Sequence, residues 1–172
     1  EKNKGVDFIE KEKKIDPYTL GLLLGDGSFS KHMISKNKIG FTSSKCDFKT
    51  YIKNIPYKFD NFYDDRHTRL SINNIQKISM DLDLYDKLSN NKFIPNIYKY
   101  NSRKIRLELL KGLLDSDGHL DSVGIPKYTT VSKKLADDVI WLCRSLGYNC
   151  NYNEYKSYYN YKGEKKQGKN NF

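Results

Sequence analysis

The sequence predicts an α+β fold made of two pseudo-symmetric halves, and three observations carry that reading. Residues 19–27 (TLGLLLGDG) return as residues 110–118 (LKGLLDSDG), sharing Gly, Leu, Leu, Asp and Gly at matched places. Each copy is followed by strand-like alternation and then by a Ser-capped helix, at Phe41-Thr42-Ser43-Ser44-Lys45 and at Thr129-Thr130-Val131-Ser132-Lys133. A chain of 172 residues with 37% hydrophobic residues suits one compact domain or two small halves sharing a core.

The elements follow in order. Residues 1–15 are charged and are expected to be a linker or frayed arm. Asp16-Pro17 opens the first helix, because Asp is a good N-cap and Pro fits the first helical turn. That helix runs through Leu20-Gly21-Leu22-Leu23-Leu24 and stops at Gly25-Asp26-Gly27, with Gly27 expected in the left-handed cap conformation. Residues 28–42 read as a hairpin turning near Ser35-Lys36-Asn37. Ser44 is expected to cap a short helix ending before Pro56. Residues 57–73 read as a second strand pair and 76–88 as a helix, completing a first half over 16–99. The second half, 100–172, restarts with a Ser102-capped helix over 103–116. Strands over 119–123 and 127–131 follow, then a Ser132-capped helix over 133–146 stopped by Gly147. A Tyr-rich strand over 149–161 and a turn at Lys162-Gly163-Glu164 come last. On this reading the second half is truncated, short of a final hairpin strand and helix.

The repeated helices carry small residues four apart: Gly21 and Gly25, then Gly112 and Ser116. Residues at that spacing share one face. A helical Gly costs roughly 1 kcal/mol relative to Ala, so two helices accepting it are expected to approach each other closely, backbone to backbone. Packed side by side and parallel, they bring Asp26 and Asp117 together. Asp115 has Leu24 as its counterpart and is not part of the repeat. Paired carboxylates at helix C-termini sit at the negative end of the macrodipole and repel each other, and a divalent cation relieves both problems. Oxygen ligands with room for water and phosphate suit Mg²⁺, which can assist phosphodiester hydrolysis. For either Asp alone, capping a turn before glycine is the simpler role.

Lys and Arg total 31 against 21 acids, a net charge of +10, which points to a polyanionic partner or to a merely lysine-rich surface. Cys46, Cys143 and Cys150 have no metal-binding or disulfide spacing, so a reducing intracellular setting, nucleus or cytoplasm, is expected. No apolar run is long enough to span a membrane.

On the residues 19–27 and 110–118 the chain resembles the LAGLIDADG, or dodecapeptide, homing endonucleases. The resemblance extends from Asp16 to the end of the sequence. It implies two αββαββα halves whose motif helices form the interface and whose sheets make a saddle over double-stranded DNA. It also implies a functional monomer, and Asp26 and Asp117 as catalytic ligands of two or more Mg²⁺ ions. Lys92-Phe93-Ile94-Pro95 is similar to the Lys-x-Ile-Pro segment of the intein-borne branch, which implies a catalytic role for Lys92, against the alternative of a solvated loop lysine. Fusion to a splicing domain and a host protein follows from that branch. Leu24 and Gly25 depart from the motif's acidic and small positions, and no splicing nucleophile or terminal His-Asn is visible, so the chain reads as an excised or incomplete insert.

Duplex contacts need cations for phosphates and long side chains for base edges. The candidates are His32, Lys36, Lys38, His67 and Arg69 in the first half, and Lys127, Tyr128, Asn151, Asn153 and Lys156 in the second. Strand alternation turns Thr68 and Leu70 inward and His67, Arg69 and Ser71 outward. An alternative is a catalytically inactive nucleic-acid-binding module on the same fold, a maturase or DNA-binding regulator. Retention of both acids favours the enzyme. A basic structural domain leaves the repeat unexplained.

Overall fold

The computed structural model describes residues 4–43, 50, 52–60 and 64–172. The expected Ser44-capped helix lies mostly, and Cys46 wholly, outside them; Thr50 is helical, and a 3-10 turn, Ile52–Asn54, is seen where that helix would end. Helix α1 spans Pro17–Gly25 and is started as expected by Asp16, whose carboxylate accepts from the Thr19 backbone N–H, with Pro17 in the first turn. Strands β1 (Gly27–Ser28), β2 (Ile34–Ser35), β3 (Lys38–Thr42), β4 (Lys58–Phe59) and β5 (His67–Ser71) form one antiparallel sheet. The β2–β3 turn falls at Lys36-Asn37, since Ser35 pairs with Lys38. In β5, Thr68 and Leu70 are fully buried and His67, Arg69 and Ser71 are half-buried, the alternation expected of a strand with one face on the core.

Helix α2 covers only Ile75–Asp81, not 76–88, because Asp83 and Asp86 adopt left-handed backbone (φ 55° and 59°) and break the run. A 3-10 turn, Ser89–Asn91, and a one-turn helix α3, Asn96–Lys99, lead to α4, Arg103–Asp117. Strands β6 (Gly118–Leu120) and β7 (Pro126–Tyr128) pair, then α5 spans Lys133–Ser145, with Ser132 capping the Leu135 N–H. Strands β8 (Tyr155–Tyr161) and β9 (Glu164–Asn171) form a separate antiparallel pair. The sequence reading missed β9, whose EKKQGKNN carries no apolar alternation. The hairpin returns to the body through mutual backbone hydrogen bonds between Thr130 and Phe172 (3.1 and 2.9 Å). Asn151 and Asn153 lie ahead of β8 rather than on it.

One core serves the whole chain. Leu20, Leu22, Leu23 and Leu24 of α1 meet Leu109 and Leu113 of α4, the sheet's Phe41 and Leu70, and Leu142 of α5, all essentially inaccessible. Among the described residues no helix is long and apolar enough to cross a membrane.

The N-terminal stretch, which the sequence leaves as a linker or frayed arm, lies extended over α4 and α5. Phe8 stacks on Trp141 (centroids 6.1 Å apart) and meets the edge of Tyr100. The Asn101 amide brackets the Lys11 backbone, accepting from its N–H at 3.0 Å and donating to its carbonyl at 3.1 Å. Asp7 accepts from the Arg103 N–H at 2.7 Å, and so fills the capping role that the sequence assigns to Ser102, whose side chain makes no capping bond. The fully buried Arg106 guanidinium donates to Val6 O, Asn101 O and Ser145 Oγ.

Candidate active site

Helices α1 and α4 touch backbone to backbone at their small residues. A Cβ added at Gly21 would meet Leu109 O, then Leu113 N at 2.8 Å. One added at Gly112 would meet Tyr18 O, then Leu22 N at 2.9 Å. One added at Gly25 would strike Ser116 and reach Asp117 Oδ2 at 3.0 Å. These contacts advance in the same direction along both helices, so α1 and α4 run parallel. The non-repeated Asp115 accepts from the Tyr18 hydroxyl at 2.7 Å and ties the helices laterally.

Parallel packing sends both C-terminal ends to one place, where Asp26 and Asp117 act jointly on the same two groups, Lys92 and Tyr128. The left-handed cap expected of Gly27 from the sequence is not found. Gly27 starts β1, and a Cβ added there would meet Leu23 O at 2.6 Å and Leu23 Cα at 2.7 Å, so the turn requires its absence. Burial pushes the Asp117 carboxyl above its ordinary range, and the Lys92 ammonium partly offsets this.

Lys92 is 4% exposed, which excludes a solvated loop lysine. Its ammonium donates to Gly25 O at 2.7 Å, Gly27 O at 2.8 Å and Leu23 O at 3.3 Å. These carbonyls close α1, where a cation complements the helix dipole. Burial lowers the lysine pKa to about 8, against the pull of Asp117 and Asp26. Helix α5 holds its loop: Ser132 Oγ donates to Lys92 O at 2.6 Å, and Asp138 Oδ2 accepts from Ile94 N at 3.0 Å. The buried Asp138 carboxylate is matched by Lys99 (2.6 Å) and Lys134 (2.9 Å).

A polar cleft of about 280 Å³ opens beside Asp26 and Lys92, lined also by Ser28, Thr42, Lys87 and Ser89. Among the described residues no cluster of three or more His, Cys, Asp or Glu occurs. An ion held by Asp26 and Asp117 would therefore draw its remaining ligands from water or a bound phosphate.

The predicted DNA-facing residues divide. His32, Lys36, Lys127, Asn151, Asn153 and Lys156 are exposed, while Lys38, His67 and Arg69 are half-buried on the sheet. Lys38 is held by Asp60 (2.8 Å), His67 by Asp64 (2.6 Å) and Lys127 by Asp121 (3.2 Å). Among the described residues the Lys36, Arg69 and Lys156 side chains have no partner. Tyr128, expected to face DNA beside Lys127, instead buries its hydroxyl, which makes no hydrogen bond of ordinary geometry and is acted on by the Thr130 side chain. Alternation along β7 should have separated these two neighbours. Ser132 and Asp138 as supports of the Lys92 loop were not legible, because nothing in the sequence brings α5 to that loop.

No family profile matches the chain. The replicative DNA helicase DnaB of Mycobacterium intracellulare is 30% identical over 147 residues, which is 86% of this chain and 22% of that protein. The chain thus spans about a fifth of the length of that curated relative. Among solved structures, mesophilic variants of the homing endonuclease I-DmoI are similar with a TM-score of 0.50 and 16% identity, over 84% of this chain and 79% of theirs. At that identity the likeness is one of fold: this is an α+β chain with antiparallel sheets, similar in fold to a LAGLIDADG homing endonuclease.

Proposed function

We propose that this chain is a site-specific, Mg²⁺-dependent double-stranded DNA homing endonuclease of the intein-associated LAGLIDADG type. The observation that supports the reading is the parallel contact of α1 and α4 through Gly21 and Gly112, at whose shared end Asp26 and Asp117 lie. The fold likeness to a homing endonuclease supports it. The relative is consistent with an insert whose host would be a DnaB-type helicase gene.

Helicase chemistry does not come with the likeness. Residues 163–170 (GEKKQGKN) have the glycine spacing of a phosphate-binding loop, but end in Asn and lie in a β-hairpin rather than before a helix.

The residues fit a hard cation. Two carboxylates lie where helix dipoles disfavour them, and the buried Tyr128 hydroxyl beside them makes no hydrogen bond of ordinary geometry. Asp26 and Asp117 would hold Mg²⁺, which when bound activates water and stabilises the leaving oxygen of the phosphodiester. Lys92 keeps the end of α1 closed, fixing where Asp26 sits, and supplies positive charge to both acids. Its donors are engaged by carbonyls, so it acts on the site through charge and position. Arg69 and Lys36 in the first half and Lys156 in the second would bind phosphates or base edges; Lys38, His67 and Lys127 would exchange surface carboxylates for phosphates at little cost, since exposed ion pairs are weak. His32, Asn151 and Asn153 are further candidate contacts. A pseudo-twofold saddle and action as a monomer belong to the same proposal.

The test is incubation with a duplex spanning the uninterrupted helicase-gene junction and Mg²⁺. Double-strand cleavage at one site is expected. Binding of that duplex without cleavage would instead favour the inactive nucleic-acid-binding module.

A further inference from the structure

The phenol of Tyr128 is an anomaly. Its ring packs against the core from β7, with its Cα paired across the hairpin with that of Gly118, the residue after Asp117. Its hydroxyl is buried and makes no hydrogen bond of ordinary geometry, although the Thr130 side chain lies close enough to act on it. Phe would pack the same ring without stranding an O–H away from water, and buried polar groups without partners are rare enough to need a reason. The surroundings supply one. Burial, with Asp117 and Asp26 acting through space, holds this phenol protonated, hence a donor, well above its ordinary range and against a smaller opposing pull from the Thr130 side chain. A buried hydroxyl beside two carboxylates finds its acceptor when that site fills.

We propose that Tyr128 is a hydrogen-bond donor kept for the filled site, giving its O–H to an oxygen that arrives with metal and DNA. The acceptor is a metal-bound water or a phosphate oxygen, two sources of one chemistry. The inference rests on the endonuclease reading. In its first half the chain places Lys92 beside the acids, and in its second half it places Tyr128 there, so the two halves serve the acid pair with different groups.

The test compares Tyr128→Phe with the parent in thermal melting and in junction cleavage. Without metal or DNA, the Phe variant is expected to melt at or above the parent, by up to about 2–4 °C, because an unrelieved desolvation is removed. With Mg²⁺, or Mg²⁺ plus the junction duplex, its stabilisation should be smaller than the parent's. A deficit with Mg²⁺ alone assigns the acceptor to metal-bound water, and one seen only with duplex assigns it to phosphate. Cleavage should slow at least tenfold with little change in duplex affinity. If Tyr128→Phe melts lower without ligands, the hydroxyl is already bonded and the proposal is overturned. If the parent cuts and the variant cuts equally fast, Tyr128 has no such role while the endonuclease reading stands. A parent that is neither stabilised by Mg²⁺ nor able to cut removes both.

Discussion

The ammonium of Lys92 lies 2.7 Å from the carbonyl oxygen of Gly25, and this contact sets how α1 ends beside the acid pair. A loop lysine from a distant part of the sequence does the work usually left to a C-cap. Lys92→Met should therefore destabilise the fold by about 1–3 kcal/mol in urea unfolding, since it strips a buried donor from three carbonyls. A lysine that touched only incoming phosphate would leave stability unchanged.

The same group has a pH signature. Its pKa falls from 10.5 to about 8 on folding, so between those values the unfolded chain holds a proton that the folded chain has released. Stability contributed by this group therefore rises as pH climbs from about 8 toward 10.5 and is flat below 8. The difference in stability between parent and Lys92→Met should grow over that window, as read by denaturant titrations across pH.

The glycine contact predicts a steep packing penalty. Gly112→Ala places a methyl group against Tyr18 O and Leu22 N, and Gly21→Ala places one against Leu109 O and Leu113 N. The obstacles are backbone, which cannot rotate away as a side chain can. Each variant should lose at least about 1–3 kcal/mol by thermal or urea unfolding. The reversed comparison is Gly124→Ala, with nothing within 4 Å, whose cost comes from its left-handed φ of 80° alone.

What the sequence disclosed, and what it did not, follows the range of the interactions. The matched residues 19–27 and 110–118 exposed the helix pair, because close packing leaves a mark at each glycine. Period-two alternation exposed β5. The loop holding Lys92 was readable as a motif but not as a helix cap, since its carbonyl partners lie more than sixty positions earlier and any backbone supplies them. Strand β9 escaped because an exposed hairpin strand of Lys, Gln and Asn has no apolar face to reveal it. Asp83 and Asp86 ended α2 early by adopting left-handed backbone, a conformation that Asp tolerates without announcing it.

The N-terminal arm should be released by one substitution. Arg106 is fully buried, and its guanidinium donates to Val6 O while Asp7, 3.7 Å away, also caps α4. Arg106→Leu should leave the Val6 carbonyl and Ser145 hydroxyl without their cationic partner. Limited proteolysis should then clip within residues 4–14 faster than in the parent, with the rest of the chain resistant. Equal cleavage rates would mean the aromatic contacts of Phe8 hold the arm alone.

On the sheet face, Arg69 is the cation with the least to give up. Arg69→Ala should weaken junction-duplex binding by about 1–3 kcal/mol if it reads a base edge, relaxing selectivity at that position. A phosphate contact would instead weaken all duplexes alike and flatten the salt dependence by about one unit of slope. Affinity measured from low to moderate salt, on the junction duplex and a scrambled one, separates the two.

The central claim is that Asp26 and Asp117, delivered together by α1 and α4, cut the two DNA strands. The most direct measurement is the rate of double-strand cleavage of the junction duplex in Mg²⁺ by the parent, Asp26→Asn and Asp117→Asn, with duplex affinity measured alongside. The account predicts that each substitution abolishes double-strand cleavage and leaves affinity within a few-fold of the parent. Parental cleavage of both strands by either variant would contradict it.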